Sequence, residues 1–400
     1  MREYAALVIG AGPAGATSAL MLARAGWPVA IVEKAAFPRR KVCGEFISAS
    51  SLPLLHELGI AGEYLRLAGP PVHELGLYSR DTVLSAPMPT LHNGGEPYGR
   101  ALGREHLDTL MLRAAVNASA HAWQPWTVKA LARCADGCYA ATLTAKHEVC
   151  TVRARIVIAA HGSWEHGALP TQAPAEKPRA SDLFAFKAHF LGCRMPSALM
   201  PLLVFPGGYG GMVKSDGGRV TLSCCIRRDA LAQCRDGRPR STAAQAVIAH
   251  IRGSCAGVEA ALRDATLDGG WLAAGPIRPG IRTFRDDGIF AVGNAAGEAH
   301  PLVAEGISMA IQSAYLLCTR LTREGDAASA PRLQAIAQEY RRDWRRNFAR
   351  RVHASALFAQ IAVRPVTAGI ATALLARAPS MLTLGAYIAG KAQRPIIAAS

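Results

Sequence analysis

The chain contains 400 residues, half of them hydrophobic and 18% charged, which excludes a disordered chain and predicts a sizeable core. Lysine and arginine outnumber the acidic residues by 45 to 29, giving a formal net charge of +16. This charge favours an anionic partner: nucleic acid, an anionic lipid surface, an acidic carrier protein or a phosphate-bearing cofactor. Arginine-rich translation of GC-rich DNA explains the same balance without a partner.

The cysteines and the apolar runs predict a reduced, cytoplasmic protein. None of the ten cysteines lies in a C-x-x-C pair, which argues against zinc ribbons and thioredoxin-type redox pairs, and we predict no metal site. The N-terminus lacks the pattern of a signal peptide. The longest apolar candidate, residues 366–376, is bounded by Arg364 and Arg377 and is shorter than the roughly 20 residues that a membrane span needs.

The first 33 residues predict one βαβ unit. Residues 5–10 and 29–33 are apolar strands, and residues 15–25 between them form a helix that ends at Gly26. Further along, a helical pattern and two short buried strands follow, and a long helix begins after Glu305. The ranges of these later elements are 106–116 (helix), 155–160 and 289–292 (strands).

The middle of the chain has a different residue pattern, since β-forming residues there are interrupted by Gly and Pro. These segments predict a second sheet inserted into the α/β unit. Its predicted strands are 72–84, 183–191, 202–213 and 219–227. A single helix is predicted over 242–263, and the pattern is helical from Pro331 to the end.

Residues 10–15 read G-A-G-P-A-G, a G-x-G-x-x-G motif with a strand before it and a helix after it. Gly10 permits the tight turn, Gly12 lets a pyrophosphate approach the backbone, and Gly15 lets the helix pack on the strand. The helix N-terminus offers N–H groups to phosphates. Glu33, at the end of the next strand, suits two ribose hydroxyls and disfavours a 2′-phosphate, so the motif predicts FAD or NAD rather than NADP.

A second glycine-rich turn lies far along the chain. Residues 293–297 read G-N-A-A-G after the strand 289–292, and a helix opens near Gly306. A ligand that touches both turns must be long, as FAD is. The helix N-terminus at Gly306 would stabilise the anionic pyrimidine edge of a reduced flavin.

Together with the loop at residues 37–45 (F-P-R-R-K-V-C-G-E), these two motifs resemble the geranylgeranyl reductase-like branch of the FAD-dependent, group A monooxygenase superfamily. The resemblance implies the para-hydroxybenzoate hydroxylase fold and FAD as cofactor. It also implies that Arg104 contacts FAD from the start of a helix. The FAD-binding residues that the motifs and the resemblance predict are Gly10, Gly12, Pro13, Ala14, Gly15, Glu33, Lys34, Arg40, Lys41, Val42, Cys43, Gly44, Arg104, Gly293, Asn294, Gly297, Gly306 and Ile307.

The expected fold is α/β, with a Rossmann-type FAD-binding domain, an interleaved substrate domain on a mostly antiparallel sheet, and a C-terminal helical region. The boundaries that we predict are 1–70, 98–165 and 282–340 for the FAD-binding domain, 71–97 and 166–281 for the substrate domain, and 341–400 for the helical region.

The sequence departs from the superfamily at three places. Asn294 replaces the usual Asp. The dipeptide His161-Gly162 stands where the superfamily has Asp-Gly. Residues 201–206 lack the aromatic pair that the lipid reductases have at this place. The second departure leaves the manner of flavin reduction open. With one G-x-G-x-x-G only, NAD(P)H is predicted to bind transiently, or electrons come from a partner.

Four residues are candidates for chemistry beyond the flavin. Cys43 either assists proton transfer or packs against the ring, and His300 acts as an acid or base or caps a turn. Phe205 and Tyr209 flank a glycine-rich turn that either forms part of a substrate wall or is a plain turn.

The C-terminal region is basic and then apolar. A solvated face is the plain interpretation of its arginines, and a docking site for an acidic carrier protein or an anionic membrane is the alternative. Residues 354–391 are expected to pack over the FAD domain, with peripheral membrane contact left open. No nucleic-acid module is present, so none is expected as partner. The arginines are Arg341, Arg342, Arg345, Arg346, Arg350 and Arg351.

The sequence therefore predicts an FAD-dependent monooxygenase that hydroxylates an apolar aromatic or polyketide-like molecule through a flavin C4a-hydroperoxide. The alternative is a flavin-dependent reductase of C=C bonds in a prenyl or other lipid. A third hypothesis is a flavoprotein that mainly binds a partner or membrane through its C-terminal region.

Overall fold

The computed structural model describes residues 2–90, 96–162, 167–172, 176–236, 240–282 and 288–393. Within these residues the strands form two seven-stranded sheets and two short ribbons. The strands are β1 (Arg2–Ile9), β2 (Val29–Val32), β3 (Phe46–Ile47), β4 (Glu74–Ser79), β5 (Thr82–Pro87), β6 (Arg100–Ala101), β7 (His121–Trp123), β8 (Thr127–Arg133), β9 (Tyr139–Ala145), β10 (Glu148–Ala159), β11 (Leu183–Leu191), β12 (Leu199–Phe205), β13 (Gly208–Lys214), β14 (Val220–Arg227), β15 (Thr266–Ile277), β16 (Gly280–Ile281), β17 (Ile289–Ala291) and β18 (Gly297–Glu298).

The helices lie on the first sheet, beside the second sheet and at the C-terminal end of the described chain. They are α1 (Pro13–Arg24), α2 (Leu52–Glu57), α3 (Ala61–Leu67), α4 (Arg104–Asn117), α5 (Arg228–Asp236), α6 (Ala243–Ser254), α7 (Ala256–Leu262), α8 (Gly306–Glu324), α9 (Ala330–Val363), α10 (Pro365–Arg377) and α11 (Ser380–Ile388).

The first sheet has a parallel core in the order β7-β2-β1-β10, with β17 also pairing β10 in parallel and β9 and β8 added antiparallel. The inner strands are buried on both faces, as parallel strands covered by helices must be. α1 begins at Pro13, two residues earlier than predicted, because proline suits the first helical position. The βαβ unit predicted at the start of the chain is confirmed.

The second sheet has the order β15-β11-β14-β13-β12-β4-β5, and every pair except β12 with β4 is antiparallel. The mostly antiparallel sheet predicted for the substrate domain is confirmed. Its strands come from residues 74–87 and 183–277, on both sides of strands that belong to the first sheet. The domain boundaries themselves stay a prediction.

In the middle of the chain the structure differs from the sequence prediction at one helix and one strand. The helix predicted over 242–263 is two helices, because Cys255 between α6 and α7 has the extended backbone angles φ −139° and ψ 98°. β15 was not predicted, since Gly269, Gly270 and Pro276 interrupt its pattern, yet it pairs along most of β11. Long-range pairing therefore overrides a weak local signal here.

The C-terminal helices correct another expectation. The first half of α9 packs Tyr340, Trp344 and Phe348 into the core of the first sheet and its helices. Residues 354–391 were expected to continue over that half, but Ala359 and Ala362 pack against the second sheet, and α10 and α11 contact β5. Residues 394–400, which were expected to be helical, lie outside the described residues.

Among the described residues no single helix is both long and apolar enough to cross a membrane. α9 and α10 pass that test of length and composition only as a pair, and they are bent by 104° at their junction.

Candidate functional site

The glycine cradle at the end of β1 has the geometry that its sequence predicts. Gly10 has φ +102°, and a Cβ on Gly15 would lie 1.8 Å from the carbonyl oxygen of Gly10, so the helix can approach the strand only without side chains. A Cβ on Gly12 would have one neighbour within 4 Å, the guanidinium of Arg104 at 3.5 Å. The peptide at the start of α1 is therefore open to a ligand.

Glu33 stands beside this cradle and is buried. Its carboxylate accepts hydrogen bonds from the backbone N–H groups of Ala11 and Ala35, both at 2.9 Å. These contacts fix the carboxylate at the carboxyl ends of β1 and β2. A carboxylate so held retains further lone pairs for the hydroxyls of a ribose.

Arg104 begins α4 and reaches over Gly12. Its guanidinium makes a bidentate pair with Asp108, at 2.7 and 2.8 Å, so both groups are held rigidly although they are buried. Lys41 lies close by, and burial together with Arg104 and Arg39 lowers the pKa of its ammonium to about 8. The cations gathered around Gly12 favour an anionic ligand such as a pyrophosphate.

Arg40, which was expected to contact the cofactor, makes its ion pair elsewhere. Its guanidinium binds the Asp268 carboxylate at 2.9 Å and the Glu105 carboxylate at 3.3 Å, joining the first half to β15. Arg39 takes the position nearer the cradle, 3.7 Å from the carboxylate of Glu33 and 3.4 Å from that of Asp108. Sequence reasoning did not distinguish these neighbouring arginines.

Two adjoining cavities meet at the cradle, and both are lined by Gly12, Lys41, Val42 and Ala160. The outer cavity surrounds Glu33 and includes Gly10, Lys34 and Arg40. The inner cavity lies between the cradle and the second sheet. Most of the predicted FAD-binding residues line the inner one: Gly12, Pro13, Ala14, Lys41, Val42, Cys43, Gly44, Arg104, Gly293, Asn294, Gly306 and Ile307.

The two glycine-rich motifs thus meet across one cavity, because β17 pairs with β10 beside β1. Gly306 opens α8 at the cavity wall, and a Cβ there would meet nothing within 4 Å. Gly297 is not among the residues that line this cavity. A Cβ on it would come within 2.4 Å of the ring of Trp344, so packing against α9 requires a glycine here, and its contact with FAD stays a prediction.

A buried polar network behind the loop at residues 37–45 was not predicted. Glu45 is fully buried and has φ +65°, and its carboxylate binds Lys187 and, at 3.0 Å, the ring of His189. It also accepts from the hydroxyl of Thr221 at 2.5 Å and from the backbone N–H of Arg104 at 3.2 Å. Burial by itself raises the pKa of Glu45, but His189 and Lys187 outweigh it and hold the pKa well below its ordinary value. The charged residues at alternate positions in an otherwise apolar strand were the available signal.

Glu305 carries a second buried network, directly before the first residue of α8. Its carboxylate lies 3.4 Å from the guanidinium of Arg351 and 2.9 Å from the ammonium of Lys391. Ser48 donates to the same carboxylate at 3.2 Å. Arg351 was expected on a solvated face but is 2% exposed, and its burial lowers the pKa of the guanidinium. Of the predicted patch, Arg342, Arg345, Arg346 and Arg350 are exposed.

The four residues that were candidates for chemistry beyond the flavin lie in three different places. Cys43 and Tyr209 line the inner cavity. His300 lines a neighbouring cavity instead, with its Nδ1 3.0 Å from the Tyr209 hydroxyl, and burial lowers the pKa of His300 to about 4. Phe205 is not in the cavity wall. It lies in the core between the second sheet and α6, with its ring 5.8 Å from that of His250.

Comparison with known proteins gives a family match over residues 3–352, with the FAD binding domain family. The chain belongs to this FAD-binding family. The cradle, Glu33, Arg104 and the inner cavity fit FAD, whose isoalloxazine would supply electron-transfer chemistry when bound.

Two curated relatives of this FAD-binding chain are reductases. A menaquinone reductase of Mycobacterium tuberculosis is 32% identical over 117 residues, which are 28% of this chain and 27% of that protein. The match thus spans about a quarter of that relative's length. The digeranylgeranylglycerophospholipid reductase 2 of Methanopyrus kandleri is 28% identical over 387 residues, covering 90% of this chain and 87% of that protein.

Solved structures share the fold. The flavin-dependent brominase Bmp2 superposes with a TM-score of 0.75 at 17% identity, covering 97% of this chain and 94% of that one. PqsL of Pseudomonas aeruginosa superposes with a TM-score of 0.70 at 18% identity, covering 88% and 95%. The predicted superfamily is confirmed, and the reaction and substrate are a separate question.

Proposed function

We propose that this FAD-binding chain is an FAD-dependent oxidoreductase, a monooxygenase that hydroxylates an apolar aromatic or polyketide-like molecule. The second sheet presents an apolar wall to the inner cavity, built chiefly from Ala185, Met200, Leu202, Met212, Val213 and Ile277. Two carboxylates also line the cavity: Glu45 is paired with Lys187 and His189, and Glu298 accepts a hydrogen bond from the side-chain amide of Asn294. An apolar substrate would be desolvated here without leaving a buried charge unpaired.

The pair Tyr209–His300 is the observation that carries the proposal. Tyr209 contributes to the walls of both the inner cavity and the neighbouring cavity that His300 lines. Burial lowers the pKa of His300 to about 4 and raises the pKa of Tyr209 well above its ordinary value, so His300 is neutral and Tyr209 keeps its proton. The Tyr209 hydroxyl can donate a hydrogen bond to Nδ1 of His300 while its oxygen accepts a hydrogen bond from a substrate hydroxyl. A hydrogen bond that polarises a phenolic hydroxyl makes the aromatic ring more electron-rich, which favours its attack on an electrophilic oxygen atom.

The overall reaction balances with a nicotinamide reductant, NAD(P)H, whose binding is also a proposal. Two electrons from NAD(P)H and two protons accompany one O₂. One oxygen atom enters a C–H bond of the substrate as a hydroxyl, and the other leaves as water. The chain's part is to orient the substrate, exclude water and hold the substrate hydroxyl in a hydrogen bond to Tyr209, which His300 positions.

A reductase of C=C bonds in a prenyl or other lipid is the second candidate. It is favoured by the Methanopyrus kandleri relative, whose match covers 90% of this chain. It is also favoured by an apolar channel that shares Met200, Leu202 and Leu302 with the inner cavity. In this reaction the Tyr209 hydroxyl would donate a proton to the substrate, whereas in the monooxygenase it would accept a hydrogen bond from the substrate hydroxyl.

Isotope labelling separates the two candidates. The FAD-loaded protein is incubated with NAD(P)H and alkylphenols of increasing chain length under ¹⁸O₂, and separately with a prenyl lipid without oxygen. We expect one ¹⁸O atom in the phenolic product. We also expect Y209F to lower that rate about 100-fold and to leave FAD affinity and alkylphenol binding, measured by calorimetry, unchanged. Reduced prenyl lipid with no ¹⁸O product would overturn the monooxygenase in favour of the reductase.

A further inference from the structure

The helical hairpin α10–α11 exposes an unusual amount of apolar surface. Val366 is 74% exposed and Ile370 59%, and the remaining exposed apolar side chains of the hairpin lie between 47% and 57%. Contiguous apolar patches of this kind mark interaction sites in monomeric proteins. The other members of the exposed set are Leu374, Met381, Leu384, Tyr387 and Ile388.

The exposed side chains follow the helical repeat. Val366, Ile370 and Leu374 succeed one another at intervals of four residues, so they form one stripe along α10. Leu384 and Ile388 have the same interval on α11. On α10, Ala368 is buried. Each helix of the hairpin therefore has two apolar faces, and only one of them is covered by the rest of the described chain.

The charge around this surface has one sign. From residue 344 to residue 400 the sequence contains eight Lys and Arg residues and no Asp or Glu. Arg364 and Arg377, both exposed, stand at the two ends of α10. Basic residues that border an apolar helix face complement an anionic lipid surface, because each contributes about 1 kcal/mol of attraction near the headgroups.

A channel behind the hairpin adjoins the inner cavity. It is lined by apolar side chains of β4 and β12 on one side and of α10 and α11 on the other, such as Leu77, Val204, Ala371 and Leu382. Met200, Leu202 and Leu302 line both the channel and the inner cavity. Only these apolar side chains therefore need to move for a substrate to pass from the channel to the inner cavity.

We propose that the α10–α11 hairpin docks on the surface of an anionic lipid bilayer, from which the channel takes up the apolar substrate. The bend of 104° between α9 and α10 suits a helix that lies in the interface rather than across it. Burial of the exposed apolar side chains in the interface and attraction of the arginines to the headgroups act together to hold the hairpin there. The docking surface rests on the exposed residues alone, and the uptake rests on the proposed function.

Vesicle sedimentation tests the docking surface without any turnover. The full FAD-loaded chain is mixed with vesicles of phosphatidylcholine that contain increasing phosphatidylglycerol. We expect the bound fraction to rise with phosphatidylglycerol and to fall with salt. The variant I370S/L384S should bind at least tenfold less at every composition, and R364Q/R377Q should lose the dependence on phosphatidylglycerol. V149S on β10, where Val149 is 69% exposed, is the matched control and should bind like the wild type.

The outcomes divide cleanly. Equal binding of I370S/L384S and the wild type, with melting temperature and FAD content preserved, would overturn the proposal. A second outcome would also overturn it: the wild type is a dimer in light scattering and does not bind vesicles, and I370S/L384S is a monomer. In that case a second copy of the chain would cover the hairpin. Vesicle binding with no oxygenation of alkylphenols would contradict the proposed function and leave the docking surface standing.

Discussion

Among the buried glutamates near the site, Glu33, Glu45 and Glu305 are each satisfied by different partners. Glu33 accepts two backbone N–H groups, Glu45 binds Lys187 and His189, and Glu305 binds Arg351 with a lysine from the C-terminal region. A buried carboxylate is costly unless it is paired and hydrogen-bonded. Each pairing therefore fixes the position of the segment that carries the glutamate, and all three segments face the cofactor cavities.

His300 predicts a measurable pH dependence of stability. Unfolded His300 takes up a proton near the ordinary pKa of 6.5, whereas the folded residue takes it up only near 4. The unfolded state binds more protons between these values, so the free energy of unfolding falls as the pH falls through this window. We expect H300Q to remove about 2–3 kcal/mol of that fall.

Urea unfolding between pH 7 and pH 4 measures this effect. H147Q, at an exposed position in the turn between β9 and β10, is the control and should keep the wild-type slope. If H300Q and the wild type lost stability in parallel, the desolvation of His300 would not be the cause.

At the scale of elements, the site is made where strands of the first sheet end and helices begin. The cradle follows β1, Glu33 follows β2, and the second glycine motif follows β17, all strands that run in parallel. Parallel strands bring their carboxyl ends to one edge, where ligands of α/β folds bind. The helix N-termini of α1 and α8 then face the cavity from two sides.

From the geometry at the start of α1 we predict that one substitution, G12A, weakens FAD binding without weakening the fold. A Cβ at position 12 fits in the described structure, since its nearest neighbour is the Arg104 guanidinium at 3.5 Å. It would occupy the space that a pyrophosphate needs. We expect G12A to weaken FAD binding at least tenfold, about 1.4 kcal/mol, while the apoprotein keeps its melting temperature, measured by flavin fluorescence titration and calorimetry.

Gly62 on α3 gives the matched control, because a Cβ there meets nothing within 4 Å and Gly62 does not line either cofactor cavity. G62A should leave FAD affinity unchanged and raise stability by up to about 1 kcal/mol through helix propensity. Unaltered FAD affinity in G12A would refute the assigned role of Gly12.

At the scale of the whole molecule, the C-terminal region joins both halves. α9 packs on the first half through Trp344 and on the second sheet through Ala359. The ion pairs of Arg351 and Lys391 with Glu305 tie this region to the start of α8. The helix that faces the flavin is therefore positioned by residues more than forty positions away.

Substitution of the neighbouring residues Arg350 and Arg351 tests the ion pair between α9 and Glu305. R351M leaves the Glu305 carboxylate with one cation, and removing one partner of a buried pair typically costs 3–5 kcal/mol. We expect R351M to lower the free energy of unfolding by about 3 kcal/mol and R350M, at an exposed position of the same helix, to change it by less than about 0.5 kcal/mol. Chemical denaturation measures both, and equal effects would contradict the structural distinction between the two arginines.

The sequence predicted the parts of the site that local rules specify. Gly10, Gly12 and Glu33 follow from the turn and strand geometry of one βαβ unit, and the placement of Gly306 follows from a second strand-to-helix turn. The burial of Arg351, the packing of Gly297 against Trp344 and the place of Phe205 in the core were not predicted. The environment of these residues depends on α6 and α9, which approach from distant parts of the chain, and no local pattern reports such an approach.

By itself, the sequence determined the FAD-binding cradle, the mostly antiparallel second sheet and the helical C-terminal region, because periodicity and glycine spacing act over a few residues. The tertiary structure alone decided which cations are buried, which aromatic side chain lines the cavity, and that an apolar channel beside an exposed hairpin adjoins this cavity. These features arise from burial among segments far apart in the chain, and burial is a property of the packed molecule.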